Sequence, residues 1–317
     1  MTTERPYFVL KPHAVFLAFG LAAASAAVTV PSASASCTTT QNVRQGGGGD
    51  CTSIQQCVDA VPGGAFTGDY CINVDSSTYS EQVIIEGKTP AAFKLIIQTD
   101  PALISTFTKV IPPASSLGAF IVKNSSVSLL NMLVVTTNTV SYGVRASSDN
   151  VVISSINVVD SGGNITAAGM VLSSASFVSW SMISVQNAVG LSLAGGNKNT
   201  VSYSTITNSS TNAALNLSAA SSNTITESYI SNPAGYGASL LDAGYNTISR
   251  SGIYSNTTAA STLYVSATGF NKAVYNLISQ SFISNPTGHA GMISFKADHN
   301  DVVQSTFTSN AASYRAL

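Results

Sequence analysis

The sequence predicts an all-β chain wound as a parallel β-helix, a solenoid with a short capping helix at its N-terminal end. Three observations carry the prediction. One phrase recurs, as "NTVSYSTITN" from Asn199, "NTITESYISN" from Asn223 and "NTISRSGIYSN" from Asn246. Two and seven places after its first residue the phrase is apolar in every copy. A second short apolar run precedes it, as in "GMVL" at Gly169, "GLSL" at Gly190 and "GASLL" at Gly237. A period in the twenties with aligned apolar columns marks stacked repeats.

Residues 1–35 are a separate element. "MTTERPYFVLKPH" carries Arg5 and Lys11, and "AVFLAFGLAAASAAVTV" is apolar. Pro31 and the A-x-A of Ala33 and Ala35 follow, which reads as a secretory signal cut after Ala35. The competing reading is a membrane anchor, but the apolar stretch is short for a span. Lipoprotein processing at Cys37 is disfavoured because Ser34-Ala35-Ser36 lacks a large aliphatic residue.

Residues 36–75 read as a cap and first strand. Cys37, Cys51, Cys57 and Cys71 are the four cysteines of the chain. An even count in an exported chain predicts two disulfides, with three pairings possible. C-x2-C spacing is absent, so no metal is expected. "SIQQCVDAV" puts Ile54, Cys57, Val58 and Val61 on one helix face over about Ser53–Val61. Pro62 and two glycines end that helix. Lying over the solenoid, it would cover an open core and an unpaired strand edge.

Residues 76–317 read as the β-helix. Taking the first residue of the phrase as offset zero, copies begin at Ser125, Asp149, Ser176, Asn199, Asn223, Asn246, Asn276 and Asn300, 23 to 30 residues apart. Offset two is Val127, Val151, Val178, Val201, Ile225, Ile248, Ile278 and Val302. Offset seven is Met132, Ile156, Ile183, Ile206, Ile230, Ile253, Ile283 and Phe307. Both columns point inward, each Val or Ile contributing roughly 1.5–3 kcal/mol on burial. Asn at offset zero is expected to form an amide ladder and to take the left-handed corner. Ser at offset five, replaced once by Leu130, is small enough to let turns nest. After Asn310 no capping element is legible.

"IQQCVDAVPGG" followed by "INVDSSTYSEQVII" resembles the start of the pectin-lyase-like superfamily of right-handed parallel β-helices. Pectin methylesterases of that superfamily open with such a helix and then a G-x-Y-x-E element. Here Ser77 replaces the glycine ahead of Tyr79 and Glu81. The resemblance runs from about Cys51 to the end, and the later copies resemble bacterial β-helix repeat proteins. It implies the right-handed fold, which hosts many functions.

The catalytic motifs that the resemblance would bring are absent. Q-D-T-L, D-F-I-F-G and L-G-R-P-W do not occur, "NT" is never followed by Asp, and "GHAG" carries Ala290 where a glycine is needed. From Gly118 onward the carboxylates are Asp149, Asp160, Glu227, Asp242, Asp298 and Asp301, scattered among turns, whereas acid–base chemistry needs convergent groups. The corner "KADHND", Lys296 to Asp301, with His289 nearby, reads first as solvated surface.

The outward column at offset four is richer. It reads Trp180, Tyr203, Glu227, Arg250, Gln280 and Gln304, and offset six adds Met182, Tyr229 and Phe282. The candidate ligand-binding residues are Trp180, Tyr203, Glu227, Tyr229 and Arg250. With 13 basic and 14 acidic residues and a net charge of −1, nothing points to nucleic acid or an anionic membrane. The expected function is a secreted, periplasmic or cell-surface β-helix without catalysis or cofactor that contacts glycans or another surface. The alternative is a polysaccharide-acting lyase, hydrolase or esterase.

Overall fold

Val, Ile and Thr favour extended backbone, and successive side chains on a strand face opposite sides. A chain that alternates such residues with Ser and Asn can bury one side only if the next turn lies against it. The computed structural model describes residues 37–88, 92–103, 106–268, 271–310 and 316. The predicted signal, residues 1–35, lies outside them.

Three short strands make each turn, and they pair in parallel with the turns before and after. The first face runs from Thr39–Val43 through Tyr70–Val74 and Leu95–Thr99. It continues through the first halves of two ten-residue strands, Val127–Thr136 and Val151–Asp160, then from Ser176–Ser179 to Asp301–Val303. The second face holds the other halves of those long strands. Met182–Val185, Thr205–Asn208, Tyr229–Asn232, Gly252–Ser255, Phe282–Ser284 and Thr306–Thr308 follow. The third face is a nine-stranded sheet from Val83–Ile85 to Gly291–Ile293. It is built from the apolar runs that precede the phrases.

The two apolar columns form the core. Offset two from Val127 to Ile278 and offset seven from Met132 to Ile283 are buried, and Val302 and Phe307 of the last copy are half-buried.

Backbone pairing corrects the alignment of the first two copies. Val151 pairs with Ser176, Ile153 with Val178 and Val158 with Ile183. The phrases at Ser125 and Asp149 are thus displaced by two residues from the later ones. Because side chains alternate with period two, a slip of two leaves inward residues inward. Burial therefore came out right in the wrong register. In the true register Met132 and Ile156 occupy the place of the later serines, and the corner column begins at Asn131 and Ser155.

The amide ladder is present. Asn199, Asn223, Asn246 and Asn276 each donate backbone N–H and side-chain Nδ2 to Oδ1 of the asparagine in the following turn, at 2.8–3.1 Å. These asparagines do not hold the left-handed backbone, however. That conformation falls one residue earlier, at Lys198, Ser222, Tyr245, Tyr275 and His299, with φ of 53–59°. The asparagine must stay extended to keep its amide inside the corner.

The serines do more than make room. Ser204 Oγ donates to Ser202 O at 2.8 Å and accepts the backbone N–H of Ser181 at 3.3 Å. The same pair of bonds repeats at Ser228, Ser251 and Ser281. Each hydroxyl thus satisfies a buried N–H where the strand breaks to turn the corner.

A helix forms where the sequence places one. The helix spans Ile54–Ala60 with Ser53 as N-cap, and Ile54, Cys57, Val58 and Val61 are buried. The S-x-Y-x-E element holds it in place. Glu81 accepts the N–H groups of Ile54 at 2.9 Å and Gln55 at 2.8 Å, and Tyr79 Oη donates to Asp75 at 2.6 Å. Gln55 stands in for a missing strand: its amide accepts from Ile84 N–H and donates to Ile84 O at the open edge of the third face. The disulfides are Cys37–Cys71 and Cys51–Cys57. At the other end, Gly291 N–H donates to Ala316 O at 2.8 Å.

Candidate functional site

The corner between the first and second faces carries the predicted strip. Asn131, Ser155, Trp180, Tyr203, Glu227, Arg250, Gln280 and Gln304 all have φ between 46° and 57°. A left-handed Trp or Tyr costs energy and invites a functional reading. Here the whole column shares the conformation whatever the side chain, so the fold imposes it. The left-handed residue swings its side chain outward and turns the strand.

Along this corner Trp180 lies on Tyr203, ring centroids 4.4 Å apart and 6° from parallel, with 51% and 47% of the two residues exposed. Tyr203 lies beside Glu227, and hydrogen bonding to that carboxylate, with its charge, raises the phenol above the ordinary tyrosine pKa. Glu227 pairs with Arg250 Nε at 3.1 Å, and Arg250 also donates to Thr226 Oγ1 at 3.3 Å. Gln280 donates to Gln304 one turn on. Trp180, Tyr203, Glu227 and Arg250 therefore follow one another along the corner, each touching the next.

Tyr229 sits on the adjoining second face, in a row that sequence reasoning only partly found. Tyr229, Gly252 and Phe282 are ladder partners on successive turns. Tyr254 leans back over Gly252: a Cβ built on that glycine would meet the tyrosine ring at 2.7 Å. Its centroid lies 5.0 Å from Tyr229 and 5.9 Å from Phe282, so three rings run unbroken across three turns. The signal was legible. Gly252 is the one glycine at offset six from Ser176 on, and Tyr254, two places later, is the one aromatic at offset eight.

Two further stacks were missed. Tyr245, Tyr275 and His299 stack at successive spacings of 5.1 Å on the corner before the first face. Tyr236 and Tyr264 lie 5.1 Å apart beside a shallow cleft shared with His289 and Met292. The first follows from turns stacking at strand spacing, about 4.8 Å, which sets like side chains ring on ring; in the second, Tyr264 is the ladder partner of Ser239 and meets Tyr236 at a tilt of 34°.

Three of the scattered carboxylates, Asp149, Asp160 and Asp242, accept backbone N–H groups. Asp160, buried, accepts N–H from Asn164 at 2.7 Å and Gln186 at 3.3 Å and faces Thr136 Oγ1. Asp242 accepts the hydroxyl and N–H of Thr268, which hold its carboxyl below the usual range. Asp149 accepts Ala175 N–H. In "KADHND", His299 joins the tyrosine stack and Asp298 is exposed. His289 lies on the far side of the Gly291–Ile293 strand in sequence. Among the described residues no three His, Cys, Asp or Glu side chains could hold a metal ion, and no helix is long and apolar enough to cross a membrane.

Comparison with known proteins places this geometry. A model of the right-handed β-helix region matches residues 159–314. Comparison with curated proteins finds no match. Among solved structures, the deglycosylated pectin methylesterase of Aspergillus niger is similar at 16% identity and a TM-score of 0.49, covering 87% of this chain and 86% of that one. Carrot pectin methylesterase is similar at 10% identity and a TM-score of 0.46, covering 76% and 82%. The enzymatically active domain of tailspike protein 2 from bacteriophage CBA120 is similar at 13% identity and a TM-score of 0.47, covering 81% and 45%. The model of the right-handed β-helix region covers residues 159–314, and the described chain, whose strands pair turn on turn from Thr39 to Thr308, has the fold of a right-handed parallel β-helix.

Proposed function

We propose that this protein is an exported, non-catalytic β-helix that binds polysaccharide along its outward aromatic surface, with Trp180, Tyr203, Glu227, Tyr229 and Arg250 at the centre. The observation that supports this is the run of exposed rings on consecutive turns, joined at the corner by one charged pair. Flat apolar surface bordered by hydroxyls and amides suits the faces and edges of a sugar chain. The turns repeat at about the spacing of strands, 4.8 Å, which is close to the rise of one pyranose unit. The engagement of Asp160, Asp242 and Asp149 by backbone donors supports the non-catalytic side of the reading. The two disulfides suit the oxidising compartment of an exported protein.

Affinity electrophoresis in gels cast with a panel of neutral and acidic polysaccharides tests the reading, with Trp180 emission as a second readout. Retardation on at least one polymer, a change in emission, and no release of reducing ends, unsaturated uronate or methanol are expected. Product release that disappears on substituting Glu227, Arg250 or Asp242 would make the protein an enzyme. Neither retardation nor emission change on any polymer would end the glycan reading.

A further inference from the structure

Two of the ring stacks on this molecule have the same cause. Trp180–Tyr203 and Tyr245–Tyr275–His299 put like positions of adjacent turns together. In Trp180–Tyr203 the planes are 6° from parallel at 4.4 Å, so each ring closes one face against its neighbour. The row on the second face differs. Tyr229–Tyr254 is tilted by 31° and Tyr254–Phe282 by 42°, so neither pair closes ring on ring in that way. Tyr254 also comes from a different column, and it reaches the row only because Gly252 leaves room. Tyr229 and Phe282 are 45% and 41% exposed. The result is an apolar floor three turns long in the middle of a sheet face.

Its surroundings carry no charge. Every outward position of the second face from Met182 to Thr308 is Met, Ser, Thr, Tyr, Gly or Phe. Thr207, Ser231 and Ser284 supply hydroxyls beside the rings. On the neighbouring corner the two ionised groups, Glu227 and Arg250, neutralise each other at 3.1 Å. An anionic chain needs cations that are not already paired, and the floor offers it none.

We infer that the row Tyr229–Tyr254–Phe282 is the sugar-contacting floor of the second face and that the polymer it takes is an uncharged polysaccharide. This rests on the glycan-binding reading above and narrows it. Sugar C–H faces pack on the rings while the flanking hydroxyls bond to sugar hydroxyls.

The test uses the full exported chain in native gels cast with neutral glucan, xylan or galactomannan, or with polygalacturonate or alginate, at low and high salt. Retardation is expected in at least one neutral gel and is unchanged by salt, because apolar contact is not screened. Tyr254→Ala is expected to weaken it at least about fivefold. Gly252→Thr, which keeps Tyr254 but pushes its ring aside, is expected to do the same, and Trp180→Ala to do less. Circular dichroism confirms that each variant is folded. Retardation only in the acidic gels, falling with salt, overturns the inference and leaves the glycan reading standing. Retardation in neutral gels that folded Tyr254→Ala and Gly252→Thr both retain overturns the floor. Retardation in no gel overturns both.

Discussion

The turns that start at Val127 and Val151 and those that start at Asn199, Asn223 and Asn246 go round the same corner with different chemistry. In the early pair, one ten-residue strand bends at a single left-handed residue, Asn131 or Ser155, and its backbone pairing resumes at once with Met132 opposite Ile156. In the later turns the strand breaks in two at the corner, as between Thr200–Ser202 and Thr205–Asn208. What the backbone gives up there, side chains restore: Ser Oγ takes the buried N–H, and Asn Oδ1 takes another at the opposite corner. Apolar inward side chains allow a continuous ladder. Polar ones replace part of the ladder and so tie each turn to the next through specific atoms. The polar arrangement stabilises only when complete, because a half-satisfied buried network is worse than an apolar one.

Breaking the amide ladder is the strongest way to challenge this comparison. Asn246→Val puts in the later turns what Val151 supplies in the early ones. It should nonetheless destabilise by about 2–4 kcal/mol, because Asn223 keeps a buried N–H with no acceptor. Asn300→Val, in a half-buried last copy where water can reach the orphaned groups, should cost clearly less. Urea unfolding followed by circular dichroism measures both. Equal midpoints for the two variants and the wild type would mean that the ladder is decoration.

Much of this was legible in the chain, and what was not has a physical reason. The inward columns, the capping helix and the amide ladder could be read because alternation and period leave a direct mark on residue type. The two-residue slip could not, because Val151 and Ile153 are equally apolar and equally inward. Only the N–H and C=O partners distinguish them. The left-handed residue was assigned to asparagine on propensity, but the ladder needs that side chain inside, and the turn passed to whichever residue came before. The stacking of Trp180 on Tyr203 followed from register. The place of Tyr254 did not, since it depends on a side chain leaning along its own strand over a glycine.

A smaller effect sharpens the comparison at the serine column. Ser228→Ala removes the hydroxyl that accepts Ser204 N–H and donates to Thr226 O. The buried N–H of Ser204 is left without a partner, and a loss of about 1–2 kcal/mol is expected. At the equivalent early position Ile156 contributes volume alone, so Ile156→Val should lower stability only by its missing methylene, about 0.5–1.5 kcal/mol. The two variants separate by amide hydrogen exchange. Ser228→Ala should accelerate exchange of Ser204 N–H well beyond its global destabilisation, and Ile156→Val should raise exchange evenly across its turn. Even exchange in both would mean that the hydroxyl is not the acceptor on which that N–H depends.

The smallest effect concerns what the two regions share. The corner backbone is the same in both, with φ of 54° at Ser155 and 50° at Gln280. An L-residue there bears a steric penalty of roughly 1–2 kcal/mol that glycine avoids, while glycine loses about 0.5–1 kcal/mol more backbone entropy on folding. Ser155→Gly and Gln280→Gly should each therefore raise stability, by about 0.5 kcal/mol, which is near the lower limit of what an unfolding midpoint resolves. Gln280→Gly also loses the exposed amide contact to Gln304, which trims its gain slightly. If the corner is a property of the fold, the two gains agree in sign and nearly in size, although one lies in an apolar turn and the other between serine and asparagine ladders. A gain at Ser155 with a loss at Gln280 would show instead that the exposed column holds the later turns together through its side chains. The strip from Trp180 to Gln304 would then be part of the scaffold as well as its surface.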